Sequence, residues 1–383
     1  MIQIDLRNLM GSKASLEFAR VSALAFDPAG ERLAVGIGHH VVVVELSDGR
    51  QVAEHRVGDG GWVRHLCFTQ TGEHLVAEHF DGMMDGSSSL HVVGRDGLCM
   101  TLKPERHSEF DGHIRFWAVN PDGSKLAAAM SGANGIWDLR TRKRGGFGAV
   151  FSAVKKRSPK LAAGLEPLFD AIEKYQDNMP RNEGPVALTA DGDLVAIWMV
   201  APSDPKYVDY GDQLVVANLK DADCRVLPLY DPEWFTTQAA RSGTLPQALR
   251  SQVFGGTSLL AFGPENTSLV GAVRVSKSDS EYLVSFTRNF TEDKTRILPI
   301  PQDRALEPSA ISNTTVIWSD AHGGQQNTTV LRQNVATGDH TVGIAPSAEG
   351  KASAAAVSPN GGQVARAVDE RVIVSPVRGD AGA

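Results

Sequence analysis

Histidines, carboxylates and cysteines are the side chains here that could do chemistry, and their spacing limits what that chemistry can be. His74 and His79 stand five apart around an apolar run, which suits neither helical pairing nor one face of a strand, so a structural or exposed role is expected. His39-His40 falls at a turn between two strands and could offer metal ligands, but the pair alone makes no site. The polar stretches from Asp81 to Ser89 and from Asp204 to Asp212 read as loops; neither follows the alternating ligand spacing of a calcium-binding loop. Cys67, Cys99 and Cys224 are too few and too scattered for a disulfide framework or a zinc site. No G-x-S-x-G, P-loop, G-x-G-x-x-G or H-E-x-x-H sequence occurs. No cofactor is expected, and the chain reads as a non-enzyme.

Two clusters suit recognition better than catalysis. Lys155, Lys156 and Arg157, close to Arg140, Arg142, Lys143 and Arg144, reverse the sign of an otherwise acidic chain with net charge −7 and pI ≈ 5.9. They are candidates for docking an acidic partner or a phosphate backbone. Trp234 and Phe235, near Tyr230, are candidate aromatic anchors, since such residues concentrate at binding hot spots. The overall charge does not favour nucleic acid, and interleaved aromatics beside the basic group are thin. There is no signal-peptide pattern and no apolar run long enough to span a bilayer, so a cytoplasmic protein without membrane contact is expected.

Both clusters fall in stretches that break the surrounding strand pattern, about 150–183 and 230–254. The first has Ser158-Pro159 as a helix start, then Leu161, Leu165, Leu168, Ile172 and Tyr175 at helical spacing, with Pro167 set to kink it. The second has a short helical pattern around Leu245 to Leu249. Both read as partly helical insertions.

Elsewhere one unit repeats: an apolar run, a Ser/Asp/Asn-Pro-x-Gly turn, a second apolar run and a third. Asp27-Pro28-Ala29-Gly30, Asn120-Pro121-Asp122-Gly123 and Ser358-Pro359-Asn360-Gly361 are the clearest turns. Proline presets the second turn position and glycine accepts the left-handed conformation that reverses the chain. Weaker copies centre on Gly72, Gly192, Asn266 and about residue 313, making seven at intervals of roughly 40 to 50 residues apart from the insertions. Runs such as Val41–Val44 are apolar on both faces, as a strand sandwiched between neighbouring sheets must be. Ile2-Gln3-Ile4-Asp5-Leu6 alternates like a half-exposed edge strand, and Arg378–Ala383 reads as a frayed tail. The expectation is an all-β chain forming a single domain over residues 1–383: a seven-bladed β-propeller of four-stranded blades, closed by the N-terminal strand.

Gly112-His113, Asn120-Pro121-Asp122-Gly123 and Trp137-Asp138 together resemble a blade of the WD40 repeat family. The other copies keep the turn and the apolar runs but lack the Trp-Asp pair. The resemblance implies structural roles for His113, Trp137 and Asp138. The inner runs carry almost no carboxylates; their flanks add only Arg64, His65 and Arg115. An interaction scaffold, one protein subunit of a larger bacterial complex, is therefore the leading expectation. A propeller hydrolase or ligand sensor with its site at the channel mouth is the alternative.

Overall fold

The structure is a computed structural model, and it describes residues 1–6, 20–82, 88–94, 97–103, 114–120, 123–130, 135–139, 141, 143–146, 183–189, 191–199, 213–218, 223–228, 258–277, 280–289, 294–298, 306–312, 314–321, 327–346, 350 and 352–379. These form seven antiparallel sheets. The chain opens with β1 (Ile2–Asp5), then builds sheet 1 from β2 (Val21–Phe26), β3 (Arg32–Ile37), β4 (His40–Glu45) and β5 (Gln51–Arg56). Sheet 2 is β6 (Trp62–Phe68), β7 (Leu75–Phe80), β8 (Ser88–Gly94) and β9 (Gly97–Leu102). Sheet 3 is β10 (Ile114–Val119), β11 (Lys125–Met130), β12 (Gly135–Asp138) and β13 (Lys143–Gly146). Sheet 4 is β14 (Glu183–Leu188), β15 (Leu194–Met199), β16 (Gln213–Asn218) and β17 (Asp223–Pro228). Sheet 5 is β18 (Ser258–Phe262), β19 (Ser268–Lys277), β20 (Ser280–Asn289) and β21 (Lys294–Leu298). Sheet 6 begins with β22 (Glu307–Ile311), β23 (Thr315–Ser319), β24 (Asn327–Asn334) and β25 (His340–Pro346). Sheet 7 takes β26 (Ala354–Val357), β27 (Gln363–Val368) and β28 (Arg371–Pro376), and the chain ends in β29 (Arg378–Gly379).

Sheets 1, 2, 6 and 7 bury both faces against their neighbours. In sheet 1, Leu33, Val35, Ile37, Val42 and Val44 pack on Ala354, Ala365, Val372 and Val374 of sheet 7. The alternate residues Ala34, Val41 and Val43 pack on Val63, Leu75 and Ala77 of sheet 2. The two-residue period of a strand thus divides one apolar run between two interfaces. Val76, Leu90 and Val92 of sheet 2 meet Leu126, Ala128 and Trp137 of sheet 3. Strand β14 touches β10 of sheet 3 and β18 of sheet 5. Val270 and Ala272 of sheet 5 pack with Val316, Trp318 and Leu331 of sheet 6, and Ile317 and Val330 of sheet 6 with Val357 and Val364 of sheet 7. The contacts run once around and return to sheet 1, closing a ring.

The turn between the first two strands, in five of the seven sheets, shows why the motif recurs. The first residue's side-chain oxygen accepts the backbone N–H five positions on: Asp27 from Arg32 (2.9 Å), Thr69 from His74 (3.2 Å), Asn120 from Lys125 (2.7 Å), Thr189 from Leu194 (3.0 Å) and Ser358 from Gln363 (2.9 Å). Gly30, Gly72, Gly123, Gly192 and Gly361 close these turns at φ between +66° and +73°, a region closed to most side chains. The sixth turn is shorter, with Ser312 accepting from Thr315 (3.0 Å). The residue that follows four of these turns also reaches a neighbouring sheet. Arg32 donates to the Gly72 carbonyl (3.0 Å) and Lys125 to the Gly192 carbonyl (2.9 Å). His74 lies against Gly123 and Gln363 against Gly30 in the same way.

The N-terminal strand pairs antiparallel with β28, Ile2 opposite Val374 and Asp5 opposite Arg371, and is the outer strand of sheet 7 as expected. Two expectations need correction. Arg378 and Gly379 are not part of a frayed tail: they pair with Ile344 and Gly343 as a fifth, outermost strand of sheet 6. Val377 fills the space over Gly343, where a Cβ would overlap it, and so steers the chain onto that edge. Ser88 and Ser89 belong to strand β8 rather than to a loop, and both are buried. The insertions at 150–183 and 230–254 lie outside the described residues, apart from Glu183 at the start of β14.

Two outcomes follow. Asn120→Ala removes a fully buried turn acceptor and should lower unfolding stability by about 1–3 kcal/mol in urea titrations, with the sheets retained by circular dichroism. Deleting residues 1–6 bares the β28 edge and empties the places of Ile4 and Leu6 in the core. The truncated chain should melt lower and self-associate in light scattering, because an uncovered edge recruits other strands.

Candidate functional site

The densest group of chemically capable side chains sits on sheet 2. Its inner strand β6 carries a bulge between Val63 and His65 that leaves Arg64 without a partner on β7. Bulges re-aim side chains and are common beside functional sites. The Arg64 guanidinium carbon lies 4.9 Å from the centre of the Phe80 ring. Trp62, directly opposite Phe80 on β7, stacks on it with centroids 4.8 Å apart at 58°. Trp62 is 41% exposed. Gly61 brings the chain in at φ +73°, so close that a Cβ there would overlap the Phe80 carbonyl oxygen. The result is a cation and two aromatic rings held together, with one ring open to solvent.

Glu78 lies behind this group, 2% exposed, in the seam between sheets 2 and 3. The Trp117 indole N–H, from β10, donates to its Oε2 (3.3 Å). Burial raises the Glu78 pKa to about 7, against the opposing pull of the Arg64 charge and the Trp117 donor. On the other face of sheet 2, a ring nitrogen of His79 hydrogen-bonds with the Gly60 carbonyl oxygen (2.6 Å). Gly58 is bare because a Cβ there would enter the His79 ring. His91 stands edge-on to His79, centroids 5.9 Å apart, and is held by Ser89 on Nε2 (2.8 Å) and Thr101 on Nδ1 (3.1 Å). Burial, followed by the charges of His79 and Lys103, lowers the His91 pKa to about 4. It is neutral at ordinary pH. His39 is also pushed down, by burial and then by neighbouring His40, 4.4 Å away between ring centres.

Chemically, this arrangement can recognise an anion and an apolar surface through Arg64 and Trp62, and Glu78 can hold or release a proton near neutral pH. Among the described residues no group of three or more His, Cys, Asp or Glu is placed to hold a metal ion.

Of the residues singled out from the sequence, Trp137 and Asp138 are in β12. Trp137 is buried in the seam between sheets 2 and 3, opposite Leu126, and Asp138 accepts the Thr141 N–H (2.7 Å). His113, Lys155, Lys156, Arg157, Trp234 and Phe235 lie outside the described residues. Arg64 is named in the sequence only as a flank of an inner run, and Trp62, Phe80 and Glu78 were not singled out. A signal was present: Glu78 and His79 interrupt an apolar strand, and period two sends them to opposite faces, each into a packed seam.

No protein-family model matches the chain, and no curated protein sequence matches it. Solved structures do. One from Kuenenia stuttgartiensis hydrazine synthase superposes with a TM-score of 0.54 at 12% identity, over 96% of this chain and 98% of that one. The β-propeller domain of Myceliophteria thermophila Cps50 (Swd1) superposes with a TM-score of 0.57 at 14% identity, over 95% of this chain and 98% of that one. At these identities the likeness is one of fold. The chain has an all-β β-propeller fold.

The two shifted groups give opposite pH responses. Glu78 keeps a proton in the native chain that the unfolded chain loses above its ordinary value of 4.5, so its contribution to stability falls as pH rises from about 4.5 to about 7. His91 refuses a proton that the unfolded chain takes up below 6.5, so its contribution falls as pH drops from 6.5 toward about 4. Glu78→Gln should gain about 3 kcal/mol on the parent chain between acid and mildly alkaline pH, read by urea unfolding across the range. A difference between the two chains that stays constant with pH would rule out the buried carboxyl.

Proposed function

We propose that each of the seven sheets is one blade of a closed seven-bladed ring carrying insertions at 150–183 and 230–254, and that the protein is a non-enzymatic interaction scaffold. It acts as a subunit of a multiprotein complex in the bacterial cytoplasm. The observation that carries this reading is the ring itself: both faces of the sheets are consumed by packing, which leaves loops and inner-strand ends as the surfaces free to vary. The Kuenenia and Myceliophteria structures support the frame and nothing about partners. Cys67 and Cys99 are free thiols, which suits a reducing compartment, and the Ala- and Gly-rich composition suits a bacterial source.

Glu78 favours a second reading, a hydrolase or ligand-sensing propeller, because a buried carboxyl titrating near neutrality is also what proton-transfer sites use. Two measurements separate the readings. Deleting 155–180 should leave the melting transition in place and weaken complex formation in co-purification from the native host; a deletion that unfolds the ring would assign the segment to the core instead. Elemental analysis of the purified protein should find no stoichiometric calcium or zinc, and finding either would favour the second reading.

A further inference from the structure

The bulge on the inner strand is a repeated position whose occupant changes around the ring. In sheet 1 the bulged residue is Ser22, between Val21 and Ala23, and its hydroxyl donates across the seam to the Val63 carbonyl of sheet 2 (2.5 Å). Just ahead of β26, Ser353 donates in the same sense to the Val21 carbonyl of sheet 1 (2.9 Å). These serines tie one sheet to the next. In sheet 2 the bulged residue is Arg64, and in sheet 3 it is Arg115, between Ile114 and Phe116. Two adjacent sheets thus give up a small tying hydroxyl for a large permanent cation at the same register position.

Arg64 is exposed, and among the described residues it has no ion pair. By contrast, nearby Arg56 is taken up by Asp59 (2.9 Å). The carboxylate behind Arg64, Glu78, is buried and engaged by Trp117, so it offsets the cation only in part. His65, the next residue, is exposed too. Phe80 pins the guanidinium from one side and leaves the other open. An arginine oriented by an aromatic ring has lost little entropy still to be lost on binding, and Trp and Arg dominate interface hot spots. The chain as a whole is acidic, with net charge −7, so an unpaired surface cation at this point is a local contrast that an acidic ligand can use.

We propose that Trp62, Arg64 and Phe80 are a docking site for an acidic peptide segment of a partner protein, with a carboxylate on the open side of Arg64 and an apolar side chain over the Trp62 ring. This rests on the scaffold reading and names a surface and a ligand chemistry for it. Short random peptides displayed and selected on the full chain provide the test. Peptides rich in Asp or Glu beside an apolar residue should be enriched. Their affinity should fall roughly thirtyfold on Arg64→Glu and on Trp62→Ala, and high salt should weaken them. Arg64→Glu should melt close to the parent, and Trp62→Ala, which also uncovers Phe80, should melt somewhat lower but keep its sheets by circular dichroism. The proposal is overturned if no peptide is enriched, if enriched peptides lack carboxylates, or if they bind Arg64→Glu as tightly as the parent. It is also overturned if a single-stranded oligonucleotide binds and is lost with the same variants, because a phosphate backbone is then the ligand. The native complex is read separately: if it survives Arg64→Glu but not deletion of 155–180, this inference fails and the scaffold reading stands.

Discussion

A small sheet with valine, alanine and leucine on both faces can shield them only against another sheet of the same kind. That constraint organises the molecule. Sheet 1 spends one set of alternate residues on sheet 7 and the other on sheet 2, and neither set could be covered by the sheet's own turns. Burying one such side chain is worth about 1.5–3 kcal/mol, so each seam outweighs any single hydrogen bond around it. The polar contacts set register rather than supply the bulk of the energy. Arg32 over Gly72 and Lys125 over Gly192 fix how far one sheet slides against the next.

Much of this was legible in the sequence because turn chemistry is local. Asp27, Asn120 and Ser358 announce a turn by residue type, and the buried acceptor and left-handed glycine are what that type is for. Thr69 and Thr189 perform the same task without proline, which is why those copies read as weaker. The N-terminal strand was legible from alternation alone. The C-terminal pairing was not, since two residues carry no period and their partner strand lies in a different sheet. The Trp62 group was illegible for a related reason. Trp62 and Phe80 are eighteen positions apart and meet only through strand register, and Arg64 reaches Phe80 only because a bulge shifts that register. Glu78 carried a visible anomaly, a carboxylate in an apolar run, but its partner Trp117 comes from another sheet.

Sheet 2 is where the repeat departs furthest from its own rules. Its strands bury Glu78, His79 and His91 at the register positions that Gly36, Ile37 and Val42 hold in sheet 1. Each polar group is matched: Trp117 to Glu78, Gly60 to His79, Ser89 and Thr101 to His91. An apolar core of similar shape would serve packing equally well. The polar set instead fixes two ring orientations and keeps a titratable group behind the exposed aromatic cluster, so the surface at Trp62 is supported from beneath by groups with little freedom to move.

Strands β1 and β29 place the two chain ends on the outer edges of neighbouring sheets. A load applied between the ends would be borne first by two short ladders, four residue pairs at β1 and two at β29. The molecule therefore carries its own zip fastener on the rim, and under tension the circle would come undone where the last sheet meets the first.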